Sequence, residues 1–107
     1  MSVRIIAKGG EYMITIVARG RVKEGMLEQY KVKAKEMEAA TQKEEGCISY
    51  KFFQDMEDPY EVAFIEQWED QQSIDRHNQS EHFVRLVPQL KELRSSSNLN
   101  KFKEVED

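Results

Sequence analysis

Cysteine is nearly absent: Cys47 stands alone, so no intrachain disulfide can form and a reducing cytosol is the expected compartment. No apolar run approaches the roughly 20 residues of a membrane-spanning helix, so a cytoplasmic chain with no membrane partner is expected. The opening Met1-Ser2-Val3-Arg4-Ile5-Ile6-Ala7 is too short and too charged for a signal peptide. No block of Lys and Arg stands apart, and 16 basic against 20 acidic residues leave a net charge of −4. Nucleic acid and anionic membrane surfaces are therefore not expected partners. A Gly-rich phosphate loop is missing, which removes the usual support for a nucleotide or flavin. Neither the spacing of zinc ligands nor a two-His-one-carboxylate signature is visible. No cofactor and no metal are expected.

What is present fits one domain of 107 residues. A chain this short buries only roughly two-thirds of its unfolded surface, so support from a second copy is expected to help. Residues 1–12 read as a detachable extension, because Gly9-Gly10 breaks the pattern before Met13. Residues 13–107 form the domain. Met13 to Val22 is β-branched and mostly apolar, as in a strand covered on both faces. From Met26 to Glu45 the period becomes helical: Leu27, Tyr30, Ala34, Met37 and Thr41 make one stripe. Glu28 with Lys31 and Lys35 with Glu38 can pair across its wet face. Gly46 suits the helix stop.

Two strands follow, Cys47 to Gln54 and Tyr60 to Trp68, joined by a turn at Asp55–Pro59. Strict alternation puts Ile48, Tyr50 and Phe52 on one face of the first, with Cys47 on the other. Val62, Phe64, Glu66 and Trp68 share a face of the second. Asp70 and Ser80 are N-caps for helices through about Asn78 and Leu93, and Pro88 predicts a kink or restart in the later one. Ser95-Ser96-Ser97-Asn98 reads as a loop and Leu99 to Val105 as a last strand. The order β-α-β-β-α-β is the ferredoxin-like α+β arrangement, an antiparallel sheet with helices on one face. Its other face also carries apolar residues, which predicts a symmetric homodimer.

Scarce residues converge on one stretch. The only Trp closes the third strand, and both His residues lie just beyond it. The run EEGCISYKFFQDMEDPYEVAFIEQWEDQQSIDRHNQSEHF resembles the antibiotic biosynthesis monooxygenase domain, over Met13 to about Val105. The matching motif is Glu-Gly-Cys opening strand two, Glu-x-Trp closing strand three, a His nine residues on, then Ser-x-His-Phe. The resemblance implies a dimeric α/β barrel with a pocket in each subunit. Its well-studied members oxidise quinols or polycyclic phenols with O2 and no metal or flavin. The same fold also holds an isomerase of a signalling sugar and haem-degrading enzymes, so fold alone does not choose. The haem-degrading relatives pair a strand-one Asn with a helix-two His, and here Arg19 and Val87 take those places.

The expected function is thus cofactor-independent oxidation of a small electron-rich aromatic by O2. The alternative is an isomerase or binding protein for a small metabolite, with haem chemistry ranked last. Trp68 is expected to wall the site, or else to anchor the following helix as a core residue. His77 or His82 would take the phenolic proton, since a neutral imidazole accepts protons at neutral pH. The helix dipole favours imidazolium at His77, which closes a helix, and disfavours it at His82, which opens one. Glu66, if buried, needs a partner such as Arg19, Arg21 or a His. Tyr50, Phe64 and Phe83 complete the expected substrate-binding set, with core or dimer packing as their alternative. Cys47 reads as a small hydrophobe and not a nucleophile.

Overall fold

A computed structural model of the chain describes residues 12–106. Apart from Tyr12, the expected extension lies outside the described residues. The elements run β1 (Ile14–Val22), α1 (Leu27–Thr41), β2 (Cys47–Gln54), β3 (Glu61–Trp68), α2 (Gln71–Asn78), α3 (Glu81–Leu93) and β4 (Arg94–Lys103). Every strand pairing is antiparallel, in the order β2-β3-β1-β4. This is the ferredoxin-like α+β fold. No described helix is long and apolar enough to cross a membrane.

The α1 stripe is the buried one: Tyr30, Ala34, Met37 and Thr41 face the sheet, and the solvent-side pairs Glu28–Lys31 and Lys35–Glu38 form. The helix ends at Thr41, earlier than its period suggests. Glu44 N–H donates to the Thr41 carbonyl at 3.0 Å, a tighter i→i+3 turn that winds the chain inward before β2. Gly46 is therefore not the stop of α1. It adopts φ 85° in the turn into β2, and α2 passes so close that a Cβ there would lie 1.9 Å from Ser73 Oγ.

The caps are where the sequence puts them. Asp70 Oδ1 accepts from Ser73 N–H at 2.8 Å, and Ser80 Oγ accepts from Phe83 N–H at 3.3 Å. Three expectations change. Pro88 lies inside an unbroken α3; it is exposed, so water can serve the carbonyl its ring cannot. The loop expected at Ser95–Asn98 is strand, since β4 begins at Arg94 and Ser96 and Ser97 pair with Arg21 and Gly20 of β1. Backbone pairing with a central strand overrides the turn preference of Ser and Asn. Finally, the β2–β3 register slips between Cys47 and Ser49, a bulge that breaks strict alternation. Cys47 thus opposes Trp68 and packs on the core, while Ile48 is left exposed.

The core lies between sheet and helices, built from Ile16, Tyr30, Met37, Tyr50, Phe64, Trp68, Ile74, Leu86, Leu90 and their neighbours. On the opposite side, Phe53, Ile65 and Phe102 stay 45, 38 and 50% exposed.

Candidate active site

A cavity of about 320 Å³ opens between the inner face of the sheet and the helices, at the small end for ligand pockets. Tyr50 from β2 and Phe64 and Glu66 from β3 line it, together with His77 from α2 and Phe83 from α3. Five of the seven residues singled out from the sequence thus meet around one space. Their strand register explains this: Tyr50 opposes Glu66 and Phe52 opposes Phe64, so these side chains share a face.

Trp68 and His82 stand behind the lining. Trp68 has no exposed surface. Its ring lies 4.8 Å from that of His77, and its indole N–H donates to Glu66 Oε1 at 3.0 Å. The partner sought for Glu66 is thus an indole and not an arginine. Arg21 is engaged with Asp58 and Glu61, and Arg19 reaches Asn100. Arg19 is exposed on the outer side of the sheet and Val87 lines the cavity, so these two residues lie on opposite sides of the sheet.

Glu44 went unremarked in the sequence, yet its Oε2 holds both imidazoles. His77 Nδ1 is 2.6 Å away and His82 Nε2 2.7 Å away. A carboxylate only accepts hydrogen bonds, so each of those nitrogens carries a proton. Ser80 Oγ donates to the His77 carbonyl at 2.7 Å. It is therefore left to accept from His82 Nε2 at 3.2 Å, which agrees with the same assignment. In a neutral His77, a proton on Nδ1 leaves Nε2 as a bare lone pair. Two glutamates before Gly46 were the available signal, but helical periodicity could not say which of them turns inward.

Burial lowers the pKa of His77 and outweighs the upward pull of Glu44, with His82 adding a further downward push. The terminal dipole of α2, which favours imidazolium, does not prevail. Burial also pushes the Glu66 carboxyl up to about 7; the Trp68 hydrogen bond opposes this and Glu44 reinforces it. The cavity therefore holds an imidazole biased toward neutral and a carboxyl that titrates near neutrality. The phenol of Tyr50 is raised well above its ordinary value by burial and stays neutral. Burial pushes the Cys47 thiol up to about 11, so it is a weak nucleophile.

Glu44, His77 and His82 also bring three potential ligand atoms within 4.8 Å of one another. Folding thus assembles a two-His-one-carboxylate set that the sequence spacing did not reveal. These residues could hold a divalent ion such as zinc or iron. The separations of 2.6 and 2.7 Å are those of charge-assisted hydrogen bonds.

The Glu66 shift gives a stability prediction. A carboxyl whose pKa rises on folding favours the protonated fold, so its contribution is complete below about 4.5 and is lost as pH climbs through about 7. The Glu66→Gln variant should show no such loss. Relative to wild type it should gain up to about 3 kcal/mol between pH 4 and pH 8. Urea midpoints of both proteins at the two pH values measure this, and parallel shifts would show that Glu66 does not titrate in that window.

Comparison with known proteins places the chain. The family model described as antibiotic biosynthesis monooxygenase matches residues 13–89. The Bacillus subtilis protein named Putative monooxygenase YcnE is 29% identical over 84 residues, covering 78% of this chain and 88% of that one. The Synechocystis protein sll1783, described as uncharacterized, is 27% identical over 86 residues, or 80% of this chain; the match spans only 58% of that relative's length. A conserved protein from Methanosarcina mazei Go1 has a crystal structure that superposes with a TM-score of 0.84 at 32% identity, over 88% of this chain and 94% of that one.

Proposed function

The chain belongs to the antibiotic biosynthesis monooxygenase family, and on that premise we propose that it oxidises a small electron-rich aromatic, a phenol or quinol, with O2 and no cofactor. The observation that carries this reading is the Glu44-held His77: a buried imidazole, with Nε2 left as its unprotonated nitrogen, that lines a cavity together with Tyr50, Phe64 and Phe83. A phenol must lose its proton, with a pKa near 10, before it gives an electron to O2 easily. His77 takes that proton, and Glu44 stabilises the imidazolium that results. The phenolate then gives one electron to O2, the radical pair recombines at a ring carbon as a peroxide anion, and the His77 imidazolium returns its proton to give the hydroperoxide. Loss of water leaves a quinone. The ring supplies all four electrons; one oxygen atom stays in the product and the other leaves as water. The three aromatic rings hold the substrate flat and exclude solvent. Trp68 acts from behind the wall by holding Glu66, and His82 acts through Glu44.

A second reading has its own support. Glu66, with its pKa near 7, can give a proton where His77 takes one, which suits isomerisation of a small metabolite without O2. For assembly, the exposed Phe53, Ile65 and Phe102 favour a symmetric homodimer joined through the outer sheet face.

Oxygen uptake by the metal-free protein over a panel of quinols and phenols separates the two readings. Wild type is expected to consume O2, and the His77→Ala/His82→Ala double variant to fall to background. No uptake above that background would overturn the oxygenase reading for the panel. Turnover without oxygen would favour the isomerase.

A further inference from the structure

The deep part of the cavity is aromatic, but its β4 side is not. Arg94 and Lys101 also line it. Their placement follows from register: Leu99 and Lys101 oppose Ala18 and Ile16, which puts them on the inner face of the sheet. Arg94 is anchored. Its Cδ sits 3.3 Å from where a Cβ on Gly20 would stand, and its guanidinium reaches the Tyr30 hydroxyl at 3.5 Å. Lys101 reaches the Gln71 side chain. Among the described residues, neither cation is ion-paired with a carboxylate, whereas Arg21 and Arg85 each hold two. Glu66 is the single carboxylate in the lining, and Trp68 bonds it.

We propose that the substrate carries an acidic group, and that Arg94 binds it while its ring lies against Tyr50, Phe64 and Phe83; Lys101, which pairs with Ile16 where Arg94 pairs with Val22, stands about 20 Å along the sheet at the other end of the cavity. The ligand class is a small hydroxylated aromatic carboxylate, with the acid toward β4 and the hydroxyl toward His77. A half-buried guanidinium beside apolar walls makes a charge-assisted site in a partly desolvated place, where such contacts are strong. The inference rests on the cavity being the substrate site, but not on the reaction performed there. Lys101 has a different role open to it, since an inward-facing charge protects an edge strand from unwanted pairing. That role predicts no dependence of binding on ligand charge.

Calorimetric binding of 6-hydroxy-2-naphthoate, its neutral primary amide and 2-naphthol tests the proposal on the 107-residue chain. The acid is expected to bind at least about tenfold tighter than the amide, a margin that shrinks with salt. Arg94→Gln should erase much of the margin, weakening the acid far more than the amide. Arg94→Lys keeps a cation and should retain part of the margin, so the test remains informative if Arg94→Gln fails to fold. Equal affinity for acid and amide, equal weakening of both by Arg94→Gln, or binding of neither would overturn the proposal. The readout needs no oxygen: failed O2 uptake with intact charge-dependent binding would sink only the oxygenase reading, and the reverse outcome only this one.

Discussion

Replacing His77 with Gln is expected to lower kcat/KM for oxidation by about 10²- to 10⁴-fold, the usual contribution of a general base. Gln keeps a donor for Glu44 and nearly fills the imidazole's place, so the fold should survive and the loss should lie in chemistry. The pH profile gives a second readout. His77 works as a base only when neutral, and burial sets its pKa below the ordinary 6.5. Wild-type activity should therefore persist below pH 6.5 and then fall as acid protonates the ring. Glu44 raises that pKa through its hydrogen bond and charge. Glu44→Gln should move the acid limb to still lower pH and lower the plateau less than His77→Gln does, because a less basic imidazole takes the phenolic proton more slowly. If His77→Gln turns over at the wild-type rate, His77 is a packing residue and the base must be sought elsewhere.

Gly46→Ala should be the most damaging small substitution for stability. Two terms add. An L-residue at φ 85° costs roughly 1–2 kcal/mol. The new methyl would also stand 1.9 Å from Ser73 Oγ and 2.5 Å from Ser73 Cβ, and forcing such a contact costs about 1–3 kcal/mol. Ser73 cannot swing aside cheaply: it is fully buried, and its hydroxyl donates to Asp70 Oδ1 at 2.7 Å and accepts from Arg76 at 3.2 Å. A loss of about 2–5 kcal/mol is expected, a large share of a typical domain's stability. Urea unfolding with an unchanged m-value measures it. Adding Ser73→Gly should recover the steric part and leave the φ part, a coupling visible in a double-mutant cycle. A loss no greater than the φ term would show that α2 yields freely. Because α2 carries His77 and Gly46 follows two residues after Glu44, the same variant should also loosen the His77–Glu44 bond.

How much of this was legible before folding can be seen residue by residue. The Asp70 and Ser80 caps, the Tyr30-Ala34-Met37-Thr41 stripe and the shared face of Phe64, Glu66 and Trp68 follow from interactions between residues two to four apart. Such contacts are set by helical and strand periods that any reader of the chain can count. The strand order follows from the element order almost as directly. Less visible was the geometry at Cys47, where one bulge reverses the face on which it and Ile48 lie. Nothing local distinguishes a bulged strand from a regular one of the same composition. The Ser95–Asn98 segment failed for a related reason, since its strand character comes from pairing with β1 more than 70 residues earlier.

The amino-acid order therefore carries the elements, their faces and the neighbourhood in which the scarce Trp and His residues gather. Folding sets what that neighbourhood can do. It closes contacts across 33 and 38 residues, from Glu44 to His77 and His82. It sets Trp68 behind Glu66 instead of in the cavity wall. It also turns two cations of an edge strand toward the same space. Protonation states, tautomers and charge at a site depend on burial and on distances of a few ångströms, and both come from chain segments far apart in sequence.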